Sequence, residues 1–423
     1  MSQLNPADVK LNYDPSAPQQ RFRDAGLEAA FAEPSAQLPV IPPWPADAKP
    51  QPIALTRPPD ETDDLTRFRG YDAVIVTWTS AEAAALATLM TPGYPISAWY
   101  EYRHNIGSYI PLVTGARAPF NLNSAEMARY YHSLGLYFPC QIGTSKVLLF
   151  KSGLHLAYDG PKTPVKQLML EITTAVQPSL FITTGTGGGI GADVMLGDVI
   201  IAGDVRFDCT TQFKSEPWCD ASFTPSALPA GALQAITAPL LDVNAKRVPN
   251  SRSTPQIWSA PTDAIVTTDC FAFDDSTDYY KLQGLGRVCD MGDAMVANAL
   301  QGISGLSWHA IRNASDPQIP NPENDIAKAA QQAAQIYARY GGLTTAASVI
   351  ASWAIVEAAM KSKATRSEDS KAKQAPQTFK LGRLTPVRGD SGETIDPQTV
   401  DHQTTDPQTA DPQHAERQLT HKS

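Results

Sequence analysis

The chain reads as an α/β domain, a sheet with both faces covered by helices. Two observations predict this. Short β-type apolar runs alternate with segments of helical periodicity along the middle of the chain. A glycine-rich stretch, Phe181–Ile201, lies between two such runs and ends in Leu196-Gly197-Asp198 before the second one. Glycine lacks a Cβ, so its backbone can turn sharply and bring N–H groups against a ligand.

The elements follow in order. Asp72-Ala-Val-Ile-Val-Thr77 is the first buried strand, and Ser80–Met90 is the helix after it, with Ser80 as the expected N-cap. Lys146–Lys151 is a further strand, and Pro164–Val176 has helical spacing. Leu180–Thr183 is the strand that enters the glycine cluster, which reads as a turn. Residues 244–262 are polar and proline-containing, as in a surface loop, and Gly292–Leu300 is helical. Trp308–Arg312 is a short strand leading into Asn313-Ala-Ser-Asp-Pro317. Two alanine-faced helices, Asp325–Tyr340 and Thr345–Lys361, are expected to flank Gly341-Gly342 and to cover one side of the sheet.

The ends differ from this middle. Residues 1–68 form a proline-rich extension in which little regular structure is expected, although Trp44 and Val40-Ile41 are candidates to pin it to the domain. The folded domain is assigned to 69–362. Beyond it, 363–423 carries a pentapeptide repeat (Asp396-Pro-Gln-Thr-Val, Asp406-Pro-Gln-Thr-Ala) that fits neither helix nor strand and is read as a disordered tail.

Bulk properties narrow the function. With 423 residues, 42% hydrophobic, the chain can build a substantial core. A net charge of −9 argues against a general nucleic-acid binder. Five dispersed cysteines without a CxxC pair argue against a disulfide framework or a zinc site, and no metal ligand set is assigned. The apolar stretch Thr345–Met360 is short for a membrane span and contains Ser348, Ser352 and Glu357, so it is read as a core helix. With no secretory signal pattern at the N-terminus, a cytoplasmic protein that binds no membrane is expected.

The glycine stretch alone has two readings, a tight strand connection or a ligand cradle with Thr184 and Thr186 beside it. It has neither the Lys-Ser/Thr ending of a P-loop nor the helix that follows a dinucleotide fingerprint. The order strand, glycine cluster, Gly197-Asp198, strand resembles the nucleoside phosphorylase and nucleosidase superfamily, which includes purine nucleoside phosphorylases and methylthioadenosine/S-adenosylhomocysteine nucleosidases.

Further segments match that pattern in order over about Tyr71–Pro320. Glu82, after Val74-Ile-Val-Thr-Trp-Thr-Ser-Ala, falls where such nucleosidases carry a water-activating glutamate; the alternative is a carboxylate in the first turn of a helix. Ser315-Asp316 resembles the acid that protonates purine N7 as the glycosidic bond breaks; the alternative is an Asp-Pro turn. In Cys289-Asp290-Met291-Gly292-Asp293, Met291 matches the methionine that packs on the sugar, but glycine stands where the family has a ribose-binding glutamate. The neighbouring Asp293 is a candidate replacement, or else a helix cap. Phe271, with Phe273 as the alternative, is the candidate for stacking on the base. Thr186 and the backbone N–H groups of Gly187 and Gly188 would orient water or sugar, and His155, after Lys151-Ser-Gly-Leu, is a candidate to border the pocket.

The resemblance implies a three-layer α/β/α domain with a mixed central sheet, and a homodimer or higher oligomer acting on a small molecule without a cofactor. Where the phosphorylases place a phosphate-holding arginine before the glycine cluster, this chain has Thr183, and the first loop carries Glu82. A carboxylate repels an incoming phosphate and suits water. A purine nucleosidase acting on a nucleoside or nucleotide is therefore expected, with Glu82 and Asp316 catalytic. The alternatives are a phosphate-dependent phosphorylase and a non-catalytic nucleoside sensor.

Overall fold

The structure, a computed structural model, describes residues 41–114, 133–245 and 251–374. The pentapeptide repeat and Val40 lie outside the described residues. Among the described residues thirteen strands form one mixed sheet. In chain order they are β1 (Gln51–Pro52), β2 (Ala73–Thr77), β3 (Tyr100–Tyr102), β4 (Gly135–Ile142), β5 (Ser145–Ser152), β6 (Leu180–Gly189) and β7 (Val199–Ile201). The remainder are β8 (Asp204–Asp208), β9 (Ser222–Phe223), β10 (Ile257–Trp258), β11 (Ala264–Thr268), β12 (Val288–Asp290) and β13 (Ser307–Asp316). The helices that cover the sheet near the cleft are α1 (Ser80–Met90), α2 (Pro164–Val176), α3 (Asp293–Leu300) and α4 (Ile326–Gln374).

Strand β6 is the hub. Its first half pairs in parallel with β2, its last two residues pair antiparallel with β12, and β13 runs parallel to it along the whole length. The alternation of side chains separates two cores. Val74, Val76, Leu148, Phe150 and Phe181 face α2 and α3, whereas Ile75, Leu149, Ile182 and Ile311 face α1 and α4. This is the three-layer α/β/α arrangement with a mixed sheet.

Several expectations change in the tertiary structure. The glycine cluster is not a turn: Gly185, Gly187, Gly188 and Gly189 lie within β6, because neighbouring strands on both sides take up its backbone hydrogen bonds. Glycine is required there by close approach. A Cβ on Gly187 would stand 2.5 Å from Val288 Cγ2 and 2.6 Å from the Cys289 carbonyl oxygen. The chain turns after Ile190 instead, through Gly191 (φ +86°) and Gly197 (φ +84°). Asp198 then acts as a buried anchor, accepting from the backbone N–H groups of Gln256 (2.8 Å) and Met195 (3.1 Å) and from Arg252 Nε (3.1 Å). That anchoring lets Ile257–Trp258, expected in a loop, add a strand parallel to β7.

The strand entering Ser315-Asp316 likewise continues through both residues, since β6 offers a partner that far. The N-cap of α1 is Thr79, one residue before the expected Ser80. The two expected C-terminal helices are one, and it runs on to Gln374, past the boundary at 362. Glycine costs about 1 kcal/mol relative to alanine inside a helix, but burial of the flanking Tyr337, Leu343, Ala346 and Ala347 holds the helix through Gly341-Gly342. The α4 stretch Ile326–Ser362 is long and apolar enough to cross a membrane, and 83% of its most apolar window is buried inside the fold. Trp44 packs on Trp353 of α4 at 4.9 Å, while Ile41 is exposed. The five cysteines are all free.

Replacing Gly187 by Ala is expected to destabilise the fold by about 1–3 kcal/mol, because the short, branched Val288 side chain and the Cys289 backbone must both give way. Gly107→Ala is the control, since its Cβ meets nothing within 4 Å; it should change stability by less than about 0.5 kcal/mol. Urea unfolding of both variants measures the difference.

Candidate active site

The ends of β2, β6, β12 and β13 converge on a cleft of about 530 Å³, its open mouth included. Parallel strands bring their C-terminal ends to the same edge of a sheet, which is where such sheets place ligands. Phe271 and Ala272 form another part of the wall, His155 follows β5, and Tyr337 comes from α4.

Arg312 organises the floor. It is 3% exposed and donates through Nε (2.8 Å) and Nη2 to the Asp293 carboxylate. Nη2 also pairs with Asp290 at 3.1 Å, and Nη1 donates to the Thr186 carbonyl oxygen at 3.3 Å and faces Glu82 at 3.6 Å. Burial and the Asp293 charge push the Asp290 pKa up, opposed by Arg312. A Cβ at Gly185 would come 2.7 Å from Arg312 Nη1 and closer still to Glu82, so glycine there makes room for the ion cluster.

Glu82 serves local and tertiary structure together. As the third residue of α1 it closes a capping box with Thr79. Its Oε2 accepts from Thr77 Oγ1 (2.8 Å) and from the N–H groups of Trp78 (3.0 Å) and Thr79 (2.9 Å). Its Oε1 reaches β6 and accepts from the N–H and Oγ1 of Thr186, both at 2.7 Å. Burial acts to raise its pKa, but Arg312 and these donors outweigh it and hold the carboxyl below its ordinary value. Glu82 is thus neither solvated nor only a helix-start carboxylate.

Asp316 sits in the opposite electrostatic setting. It is buried, its Oδ1 accepts from Ser315 Oγ at 2.9 Å, and Ser315 Oγ is also 3.2 Å from the Gly187 carbonyl oxygen. Desolvation pushes its pKa to about 7, with only the Ser315 hydroxyl opposing. His155 Nδ1 accepts from the Ala157 N–H at 3.2 Å, which leaves the ring proton on Nε2. Burial lowers the His155 pKa to about 3, so the ring is neutral at pH 7.

The structure brings together Glu82, Asp316, Thr186, Gly187, Gly188, Phe271, Met291 and Ser315, all at the cleft wall. Asp293 is the correction. Its carboxylate is buried against Arg312 instead of replacing the missing glutamate at Gly292, because the guanidinium needs a bidentate partner. Phe273 is core, packed with Ile319 and α4. The sequence reading missed Arg312, Trp78 and Tyr337. The signal for Arg312 was available: a cation in an otherwise apolar strand must be paired. Tyr337, whose hydroxyl donates to Thr79 Oγ1 at 2.7 Å, had no local signal. Among the described residues no cluster of His, Cys, Asp or Glu is arranged to hold a metal ion.

The model of the phosphorylase superfamily matches residues 116–341, more than half of the chain. The chain belongs to the phosphorylase superfamily. No curated protein matches it. Among solved structures it is similar to the 5′-methylthioadenosine/S-adenosylhomocysteine nucleosidase of Neisseria meningitidis, in complex with methylthio-immucillin-A, at 15% identity and a TM-score of 0.42, over 68% of this chain and 98% of that one. It is also similar to the futalosine hydrolase of Helicobacter pylori at 12% identity and a TM-score of 0.43, over 68% and 97% of the two chains. A third likeness is to the nucleosidase of Colwellia psychrerythraea in complex with adenine, at 15% identity and a TM-score of 0.43, over 69% and 96%. Within the superfamily match lie β6, β12, β13 and the first part of α4, which together carry most of the cleft.

Arg312→Met should cost about 3–5 kcal/mol, because it leaves buried carboxylates without their cation. Those carboxylates would then have folded pKa values above their unfolded ones, so the loss should be larger at pH 7 than at pH 5. Thermal unfolding at the two pH values checks both the size and the sign.

Proposed function

We propose that the chain is a purine nucleosidase, which hydrolyses the N-glycosidic bond of a purine nucleoside or nucleotide and releases the free base. The observation that carries this reading is the pair of carboxyls with opposed environments in one cleft. Asp316, pushed to about 7 by burial, keeps a proton to give near neutral pH. Glu82, held low by Arg312 and its donors, stays ionised. Two carboxyls driven apart in this way suit an acid and a base.

In this mechanism the base stacks on Phe271 and its N7 receives the Asp316 proton as the glycosidic bond stretches. Leaving as a neutral purine avoids building an anion in a buried site. The positive charge that develops on the sugar is opposed by the fixed negative charge of Glu82. Glu82 is a weak base toward bulk water, but water attacking an oxocarbenium-like centre becomes acidic, so the proton reaches Glu82 as the new C–O bond completes. Thr186 holds the Glu82 carboxylate in place for this step.

Phosphorolysis is the second reading, and the charge around Arg312 speaks against it. The guanidinium is already engaged by Asp293, Asp290 and the Thr186 carbonyl. A phosphate dianion entering beside Glu82 would meet a carboxylate before a free cation.

Incubating the protein with adenosine, inosine and AMP, with and without phosphate, tests the assignment. Base release independent of phosphate is expected. Release only with phosphate would make it a phosphorylase, and binding without release would make it a sensor. Asp316→Asn should lower turnover by at least about 10²-fold, and Glu82→Gln by about 10²–10⁴-fold, while substrate still binds. Because Asp316 acts in its protonated form, kcat/KM should fall as pH rises above about 7. A rate that keeps rising through that range would remove Asp316 as the acid.

A further inference from the structure

The Glu82 side of the cleft is built around an indole. Gly292, on the loop between β12 and α3, leaves a space that Trp78 fills: a Cβ at Gly292 would lie 3.1–3.4 Å from Trp78 Cζ2, Cε2 and Cη2. Arg312 also lies over the ring, its Cζ 5.0 Å from the centroid. Trp78 is 4% exposed and lines the cleft. Among the described residues its Nε1–H has no hydrogen-bond partner.

The carboxylates on this side are occupied by protein donors. Glu82 accepts five hydrogen bonds. Asp290 accepts from Thr267 Oγ1 and from the N–H groups of Gly292 and Asp293, and Asp293 itself holds Arg312. A sugar diol facing this wall would have to displace protein donors to place its O–H groups on these carboxylates. At Trp78 it meets a donor instead.

We infer that Trp78 is the sugar-recognising residue of the cleft, holding a sugar oxygen as acceptor through its indole N–H, so that the cleft takes ribosyl and 2′-deoxyribosyl purines with similar affinity. This rests on the nucleosidase reading only in placing the base at Phe271 and Asp316. A buried donor without an acceptor is costly, and the N–H is closed off from solvent as well as from protein. A ligand that presses on the wall is what supplies the acceptor, with a small rotation of the ring. Strong rejection of an analogue that lacks a hydroxyl requires a site group left unpaired by its loss. Among the described residues, Glu82, Asp290 and Asp293 already hold protein donors, so the loss of a 2′-hydroxyl leaves none of these three carboxylates unpaired.

The test uses full-length protein with ¹⁵N-labelled tryptophan. The chain has seven tryptophans, and Trp78→Phe, or Trp78→Tyr if Phe fails to fold, assigns the indole resonance. Spectra are recorded in Asp316→Asn protein, so that ligands stay intact, with adenosine, inosine, guanosine, their 2′-deoxy forms and the free bases. The Trp78 indole N–H resonance should move with the nucleosides of the preferred base and not with that free base. Trp78→Phe should weaken binding of both sugar forms about tenfold and leave the free base within about twofold. Ribosyl and deoxyribosyl forms should bind within about tenfold of each other. An unmoved resonance at saturating nucleoside overturns the inference. So does unchanged nucleoside affinity in the Trp78 variant, a deoxy form more than about 10²-fold weaker, or a failure of every nucleoside to bind. If the resonance moves as expected but wild-type protein releases no base, the nucleosidase reading fails and the role of Trp78 stands.

Discussion

One buried guanidinium ties the site to the fold. Arg312 of β13 holds Asp293 at the start of α3, Asp290 at the end of β12, and the backbone of β6 at Thr186, and it faces Glu82 of α1. A lone cation could not be buried there, and neither could the carboxylates around it. The cluster therefore makes the relative positions of these elements interdependent. Gly185 is part of the same constraint, because any side chain on it would occupy the place where the guanidinium meets Glu82.

The glycine-rich strand follows from that demand for space. Strands packed side by side ordinarily leave room for side chains above and below the sheet. Along β6 that room is taken by Glu82 and Arg312 at Gly185, by Val288 and the Cys289 carbonyl at Gly187, and by Asp316 and Cys289 Sγ at Gly188. The result is a strand with a bare backbone at the cleft floor, against which functional groups from neighbouring elements can lie. Asp316 gains its raised pKa here. It is buried beside an apolar and glycine-lined wall, with a single serine hydroxyl to stabilise its charge. Glu82, lining the same cleft, gains the reverse from five donors and a cation. The chemical division between the two carboxyls is thus a consequence of packing.

The cleft also departs from the family pattern in a coherent way. Where the resemblance led to a ribose-binding carboxylate, the chain has Gly292, and the adjacent Asp293 is committed to Arg312. The vacated space is filled by Trp78, from the loop that follows β2. Glycine and tryptophan at these two positions are complementary in volume, and the exchange replaces an acceptor by a donor at the wall. The long helix α4 closes the other side with Tyr337, whose hydroxyl reaches Thr79 and so joins the capping box of α1.

Local pattern determined much of this protein. Apolar runs and helical periodicity located β2, α1, β5 and α2 nearly residue for residue, because β2 and β5 are continuous apolar runs buried on both faces and α2 buries one helical stripe. The motif order located Glu82, Thr186, Phe271, Met291 and Asp316, which meet at one cleft. Tertiary structure decided what depends on a partner from elsewhere in the chain. The glycine cluster and Ser315-Asp316 became strand because β6 and β13 pair with each other over that length, a fact no local window contains. Gly341-Gly342 stayed helical because the helix around it is buried on the sheet. The fate of Asp293 was settled by a guanidinium nineteen residues on, and the role of Gly292 by an indole far before it. Charge pairing and close approach act through space, so they appear only once the strands have been brought side by side.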